Sequence, residues 1–227
     1  MSALKIMHFS DVLCVWAHVG QANIFKLVEK FGDRVQLDVH FCSIFPDTQT
    51  KINKAWRDRG GFDGYAAHVK AVADRFENVN IHSDVWSKVQ PKSSASPHLF
   101  IKAIGLLEDN TPKVSFLDRL SNRAAMELRD AFFTQAKDIS DWDVQRAISE
   151  KIGVDFDAVR KKIETGEAIA NLAADYELGQ ALHVQGSPTY ILSEGRQILF
   201  GNISYGILEA NVSELLSEKS ADSGSVC

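Results

Sequence analysis

Hydrophobic periodicity changes twice along this 227-residue chain, and that double switch limits its folds more than any other feature. The first segment, Leu4 to Ser10, reads as a short strand ending at Ser10-Asp11. Ile6 and His8 point one way and Met7 and Phe9 the other, with both faces largely apolar, as a central strand requires. Trp16, Gly20, Ile24, Leu27, Val28 and Phe31 then recur at helical spacing until Gly32-Asp33 stops the pattern. Val35 to Phe45 is a second apolar strand, closed by Pro46-Asp47. A strand–helix–strand opening in one sheet implies a right-handed crossover.

From about Gly61 to Leu182 the period is helical almost throughout. The helical stretches are Phe62–Phe76, Pro97–Leu107, Ser115–Gln135, Asp141–Ile152, Asp155–Thr165 and Glu167–Leu182. Ser96-Pro97 has the form of a helix entry, a serine cap followed by proline at the first helical position. Strand patterning then returns. Thr189 to Ser193 and Gln197 to Gly201 flank Glu194-Gly195, which predicts a hairpin. Ile203 to Glu218 closes as an amphipathic helix with Ile207, Leu208, Val212, Leu215 and Leu216 on its apolar side.

The expected fold class is therefore α/β, with the order β-α-β, a large all-helical insertion, then β-β-α. Residues 1–60 and 183–219 form one discontinuous domain, 61–182 the insertion, and 220–227 a small, polar, flexible tail.

Composition removes several function classes. The net charge of −5 gives no basic face for non-specific nucleic-acid binding. No run of about 18 apolar residues is present, so no membrane span is expected. The N-terminus has no basic region followed by a long apolar run, so a cytoplasmic location is expected. The three cysteines, Cys14, Cys42 and Cys227, have neither the count nor the spacing of a disulfide framework or a zinc site. The histidines are scattered, and no metal is expected.

Two constellations carry chemistry. The first is Ser10-Asp11-Val12-Leu13-Cys14-Val15-Trp16-Ala17-His18, where strand hands over to helix. Unpaired amides at a helix start favour a thiolate, and cysteines so placed fall from ~8.5 to roughly 3.5–7.5. From position alone, an activated nucleophile and an inert buried cysteine are equally good readings of Cys14. The second constellation, Gly186-Ser187-Pro188-Thr189, precedes the third strand, where a proline can sit at the first residue.

Together these segments resemble the DsbA-like thioredoxin superfamily, which includes FrnE-type oxidoreductases, 2-hydroxychromene-2-carboxylate isomerases and kappa-class glutathione transferases. Ser10, Asp11, Cys14, Trp16 and Gly20 match its opening S-D-x-x-C-P-W-C-x-x-G. Gly186-Ser187-Pro188-Thr189 is similar to its G-V-P-T loop, which implies a cis Ser187–Pro188 peptide facing Cys14. Ser96-Pro97-His98-Leu99 resembles a helix entry of FrnE-type members, and the Asp138-to-Asp155 stretch resembles a segment of the family at large. The resemblance reaches to about Leu216 and implies a thioredoxin-like fold.

The chain departs from that pattern at the site itself. Ala17 replaces the resolving cysteine and Val15 the intervening proline. Cys14 can open thiol–disulfide exchange, but an outside thiol must finish it. Glutathione is the candidate co-substrate, and no tightly bound cofactor is implied. The Gly-x-Asp-Arg segment that helps hold glutathione in kappa transferases is here Gly201-Asn202-Ile203-Ser204, without acid or arginine.

The resulting assignment makes Cys14 catalytic, with Val15, Trp16, Ser187 and Pro188 binding a thiol or disulfide substrate, small molecule or protein. Asp11, His18 and His98 are candidate tuning residues. Each has a structural alternative: Asp11 a turn cap, His18 a solvent-facing helix residue, His98 a capping or packing role. Cys42 reads as packed core and Cys227 as a terminal thiol on a flexible tail. The expected activity is single-cysteine thiol–disulfide exchange by a monomer or homodimer. The alternatives are a glutathione-dependent transferase or isomerase of small aromatic molecules, and a binding module without turnover.

Overall fold

Strand β1 (Leu4–Ser10) is the axis of the molecule, because both its faces are apolar and only a central position buries both. In the computed structural model, which describes residues 3–108 and 114–222, it lies inside a four-stranded sheet. The order is β2-β1-β3-β4, with β2 (Val35–Phe41) parallel to β1. β3 (Thr189–Leu192) is antiparallel to β1, and β4 (Gln197–Phe200) antiparallel to β3. The expected hairpin is present, turning through a tight Ser193–Gly195 segment.

Helix α1 (Val15–Phe31) makes the crossover from β1 to β2 and buries Ala17, Gly20, Ile24, Leu27 and Phe31. Gly32 ends it at φ +49°, a conformation glycine adopts without steric cost. One face of the sheet joins α1 and α9 (Tyr205–Asp222) through Leu4, Ile6, Leu27, Leu192, Leu208 and Val212. The opposite face packs Phe9 and Ile191 against Leu178, Leu182 and Val184. The alternation of Ile6 with Phe9 in the sequence thus corresponds to two separate clusters.

Between β2 and β3 the described residues form seven α-helices: α2 (Thr48–Ala55), α3 (Gly61–Ala73), α4 (Ala95–Leu107), α5 (Leu120–Arg129), α6 (Trp142–Ile152), α7 (Phe156–Glu164) and α8 (Glu167–Ala181). α5 passes into one π-helical turn, Asp130–Thr134. Asp141 and Asp155 cap α6 and α7, accepting from the amides of Asp143 and Asp157. The largest core cluster runs from Val12 and Leu13 through Phe41 and Phe45 to Phe100, Leu128, Phe132 and Phe133.

Several boundaries differ from the sequence reading. β2 ends at Phe41, not Phe45, because the Ile44 and Phe45 amides turn to the Asp11 carboxylate instead of a ladder. α2 was not read from the sequence; it is short and buries only Thr48 and Ile52, so its periodicity is faint. Ser96-Pro97 is not the entry to α4. That helix begins at Ala95, which puts Pro97 at its third position, where a missing N–H also costs nothing. α5 starts at Leu120, after a turn closed by Ser115 and Asp118. Ile207 is 50% exposed, since the buried stripe of α9 is Leu208, Val212 and Leu215, one residue out of phase with it. α9 continues to Asp222, past the expected end at Glu218 and into the expected tail. The remaining tail residues, Cys227 included, lie outside the described residues.

Candidate active site

The link between β1 and α1 is fixed by hydrogen bonds from distant segments. Asp11 N donates to Ser187 Oγ at 2.9 Å, Val12 N to His98 Nε2 at 3.1 Å, and Leu13 N to Asp11 Oδ1 at 2.9 Å. Cys14 N closes the turn onto Asp11 O at 3.1 Å. The next residues can then enter the helix, and Cys14 occupies the cap position with extended backbone and a side chain free of capping duty.

That side chain meets the proline loop. Cys14 Sγ donates to Ser187 O at 3.2 Å, and the Ser187–Pro188 peptide is cis. Thr189 Oγ1 to Gly186 O at 2.7 Å and Gly201 N to Pro188 O at 2.9 Å hold this loop against β4. Two segments 173 residues apart are thereby brought together, in the pairing that the family resemblance implied.

The electrostatics differ from the sequence expectation. Cys14 is 7% exposed, and burial pushes its thiol above the ordinary value. A Ser187 hydrogen bond and the Ala17 and Trp16 amides pull it down, while the Asp11 charge adds to the rise. The helix-start amides act in the predicted direction, but burial is the larger effect.

Asp11 is fully buried and acts as a turn cap and brace. Oδ1 takes the Leu13 amide; Oδ2 takes Ser94 Oγ at 2.7 Å and the Ile44 and Phe45 amides at 3.1 Å each. Burial raises its carboxyl, and these four donors oppose the rise. His98 is fully buried, stacked on Phe41 at 4.2 Å, and held neutral mainly by burial. Its role is to accept the Val12 amide, so it shapes the loop and does not face a cleft. His18 is half-buried rather than facing solvent freely. It stacks on Phe133 at 4.5 Å, and burial lowers its pKa to about 4.

Beside Cys14 opens a cleft of about 320 Å³. Val15, Trp16 and Ser187 line it, with Gln185 and Gly186; the fourth residue expected to bind substrate, Pro188, is not part of the lining. The opposite wall was not found by sequence reasoning: Ile44, Phe45, Lys51, Trp56, Tyr65 and His68. Burial raises the Tyr65 phenol and lowers His68. Lys51 Nζ donates to Ile44 O and lies 4.8 Å over the Phe45 ring. The available signal was the density of aromatic residues from Trp56 to Tyr65.

Cys42 is buried and forms no disulfide, its thiol pushed up by burial and then by Asp11 and Cys14. Among the described residues no group of three or more His, Cys, Asp or Glu side chains is placed to hold a metal ion, and no helix is long and apolar enough to cross a membrane.

Residues 5–213 match the DSBA-like thioredoxin domain. No curated protein matches the sequence. Among the solved structures similar to this chain are the following three. A candidate protein disulfide isomerase from Nitrosomonas europaea has a TM-score of 0.70 at 11% identity, covering 95% of this chain and 98% of its own. 2-Hydroxychromene-2-carboxylate isomerase gives 0.63 at 14%, covering 96% and 98%. The cytosolic disulfide reductase DsbM from Pseudomonas aeruginosa gives 0.62 at 16%, also covering 96% and 98%, and has been solved with glutathione too. At these identities the likeness shows the fold, whereas the domain match spans nearly the whole sequence, and the chain belongs to the DSBA-like thioredoxin family.

Proposed function

We propose that the protein carries out thiol–disulfide exchange through Cys14 alone, with a small external thiol completing the cycle. The observation that carries this reading is Cys14 Sγ at 3.2 Å from Ser187 O, on the wall of an open cleft, with Ala17 one helical turn on. Cys14 loses its proton to solvent, and the thiolate attacks one sulfur of a substrate disulfide. A bond forms from Sγ to that sulfur as the substrate S–S bond breaks, and the other half leaves as a thiolate that takes up a proton. Ala17 offers no second thiol, so glutathione as its thiolate attacks Cys14 Sγ and frees the bound half. A second glutathione then releases Cys14 and departs as glutathione disulfide. The substrate gains the two electrons that the two glutathiones lose.

Burial of Cys14 raises its pKa and so keeps most of the thiol protonated at neutral pH, which lowers the share of thiolate ready to attack. A reducing, cytoplasmic setting suits a cycle that draws on a thiol pool. Mass spectrometry of the protein mixed with glutathione disulfide tests this. A glutathione adduct on Cys14 that persists until free thiol is added is the expected result. Absence of the adduct at a pH where iodoacetamide does alkylate Cys14 would sink the reading.

The aromatic wall of Phe45, Trp56 and Tyr65 favours a second reading, a glutathione-dependent transferase or isomerase of small aromatic molecules. Calorimetric titration with glutathione separates the two. Tight binding of reduced glutathione without any adduct supports the second, and no binding at millimolar concentration removes it.

A further inference from the structure

Exchange at Cys14 places a demand on the far side of the cleft. A thiolate attacks a disulfide sulfur opposite the bond it breaks, so the departing sulfur moves away from Cys14 and towards the facing wall. It leaves with the electron pair of the broken bond. The polar side chains on that wall are Lys51, Tyr65 and His68, set among Phe45 and Trp56.

Tyr65 is the member of this group with an uncommitted donor in a fixed place. Among the described residues nothing hydrogen-bonds to its hydroxyl. The residue is half-buried, yet the hydroxyl keeps an opening to solvent, unlike the neighbouring Trp86 indole N–H, which is shut in without a partner. The ring stands edge-on to Trp56 and to Trp86, at 5.4 Å from each, in the first turns of α3. Burial keeps the phenol protonated, and the charge of a Cys14 thiolate reaches it more strongly than that of Asp11. The other two donors are less well placed. Lys51 Nζ is tied to Ile44 O and lies over the Phe45 ring, and His68 is an exposed residue.

We propose that Tyr65 is a catalytic residue of the exchange reaction, its O–H donating a hydrogen bond to the departing sulfur, and that the cleft thereby favours alkyl disulfides as substrates. This deepens the thiol–disulfide reading above and rests on it. The Sγ bond to the attacked sulfur forms as the substrate S–S bond breaks. The departing thiolate holds the electron pair against the Tyr65 O–H and takes its proton from solvent, so Tyr65 keeps its own. Leaving-group basicity selects the class. An aryl thiolate spreads its charge into the ring and departs unaided, whereas an alkyl thiolate, of ordinary pKa ~8.5, gains from a donor.

Tyr65→Phe in the full chain, with Cys42→Ser and Cys227→Ser, tests this, because a ring that only fills the wall needs no hydroxyl. Rates of adduct formation on Cys14 are measured by mass spectrometry with glutathione disulfide and with the aryl disulfide dithiobis(nitrobenzoate). The substitution should slow the glutathione disulfide reaction about tenfold, as expected for one hydrogen bond to a charged group, and leave the aryl reaction unchanged. The ratio of the two rates within each protein cancels any loss of folded fraction. Iodoacetamide, which expels no sulfur, should alkylate both proteins equally, and the urea midpoint should not move. Equal slowing of both disulfides, or slowing of neither, overturns the proposal and leaves exchange at Cys14 standing. A matching fall in alkylation overturns it too, since Tyr65 would then act on the Cys14 thiolate, and a clear drop in the midpoint removes its premise of a free hydroxyl. A parent that forms no adduct with either disulfide overturns the exchange reading and this proposal together.

Discussion

His98 Nε2 accepts the amide hydrogen of Val12 at 3.1 Å, joining the start of α4 to the loop that carries Cys14 across 86 positions of sequence. The imidazole does so from a fully buried position, stacked on Phe41. His98→Phe should keep that stack and strand the Val12 N–H without an acceptor. The expected loss of stability is about 1–3 kcal/mol, read from urea unfolding. An unchanged midpoint would show that Val12 finds another partner.

Burial places the Cys14 thiol above its ordinary value. Its alkylation by iodoacetamide, followed by mass spectrometry in a Cys42→Ser, Cys227→Ser background, should therefore keep rising with pH through about 9. A plateau near pH 7 would show instead that the Trp16 and Ala17 amides outweigh burial once the protein is in solution.

Ala17 stands where a second thiol would resolve an adduct on Cys14, and it is 2% exposed. In Ala17→Cys, oxidation should close a bond between residues 14 and 17. The requirement for external thiol in releasing a substrate from Cys14 should then disappear. Continued dependence on glutathione in that variant, measured by insulin reduction or by adduct lifetime, would count against the single-thiol cycle.

Two buried histidines, His8 and His98, and the half-buried His18 are held neutral, and acid should expose the cost. His8 is lowered to about 3, His18 to about 4, and His98 well below 6.5, each chiefly by burial. The unfolded chain binds protons at these groups near pH 6.5, while the folded chain does not. Stability is therefore fully present above 6.5 and falls as pH drops towards the folded values. Each group contributes up to about 1.4 kcal/mol per pH unit below 6.5. Unfolding midpoints measured from pH 8 to 5 should fall steeply below about 6.5. A flat profile would mean that one or more of these rings is protonated in the native state.

The first turn of α3 tolerates no side chain at Gly64. A Cβ there would sit 1.7 Å from the Arg59 carbonyl oxygen, a backbone atom that cannot swing aside. Gly64→Ala should cost well over about 1 kcal/mol, beyond the ordinary range for an exposed helix position. It should also disturb the cleft wall that Tyr65 and His68 supply.

Much of this fold was legible because its strands and longer helices bury continuous stripes. The β1 alternation, the α1 stripe ending at Gly32 and the hairpin around Glu194-Gly195 all followed from period and turn chemistry. Cys14 and Ser187 were legible as a pair through the family pattern, not through spacing. The environment of Cys14 was not legible. Helix-start position is a local property, whereas burial depends on α2, α3 and the 185–187 loop closing around the sulfur. The same limit hid α2 and the aromatic wall. Ser96-Pro97 misled because its serine reaches Ser140 and Gln145 and leaves the helix amides alone.

The Asp11 brace bears on any attempt to transplant this active site. Three of its four donors come from Ile44, Phe45 and Ser94, which follow it by 33, 34 and 83 positions. Copying residues 10–20 into another thioredoxin scaffold would deliver the cysteine without the shape that presents it. A faithful graft needs at least three discontinuous pieces moved together. For the same reason, drift in the strand-to-α2 connection or at the head of α4 can retune Cys14 with no change in its own neighbourhood of sequence.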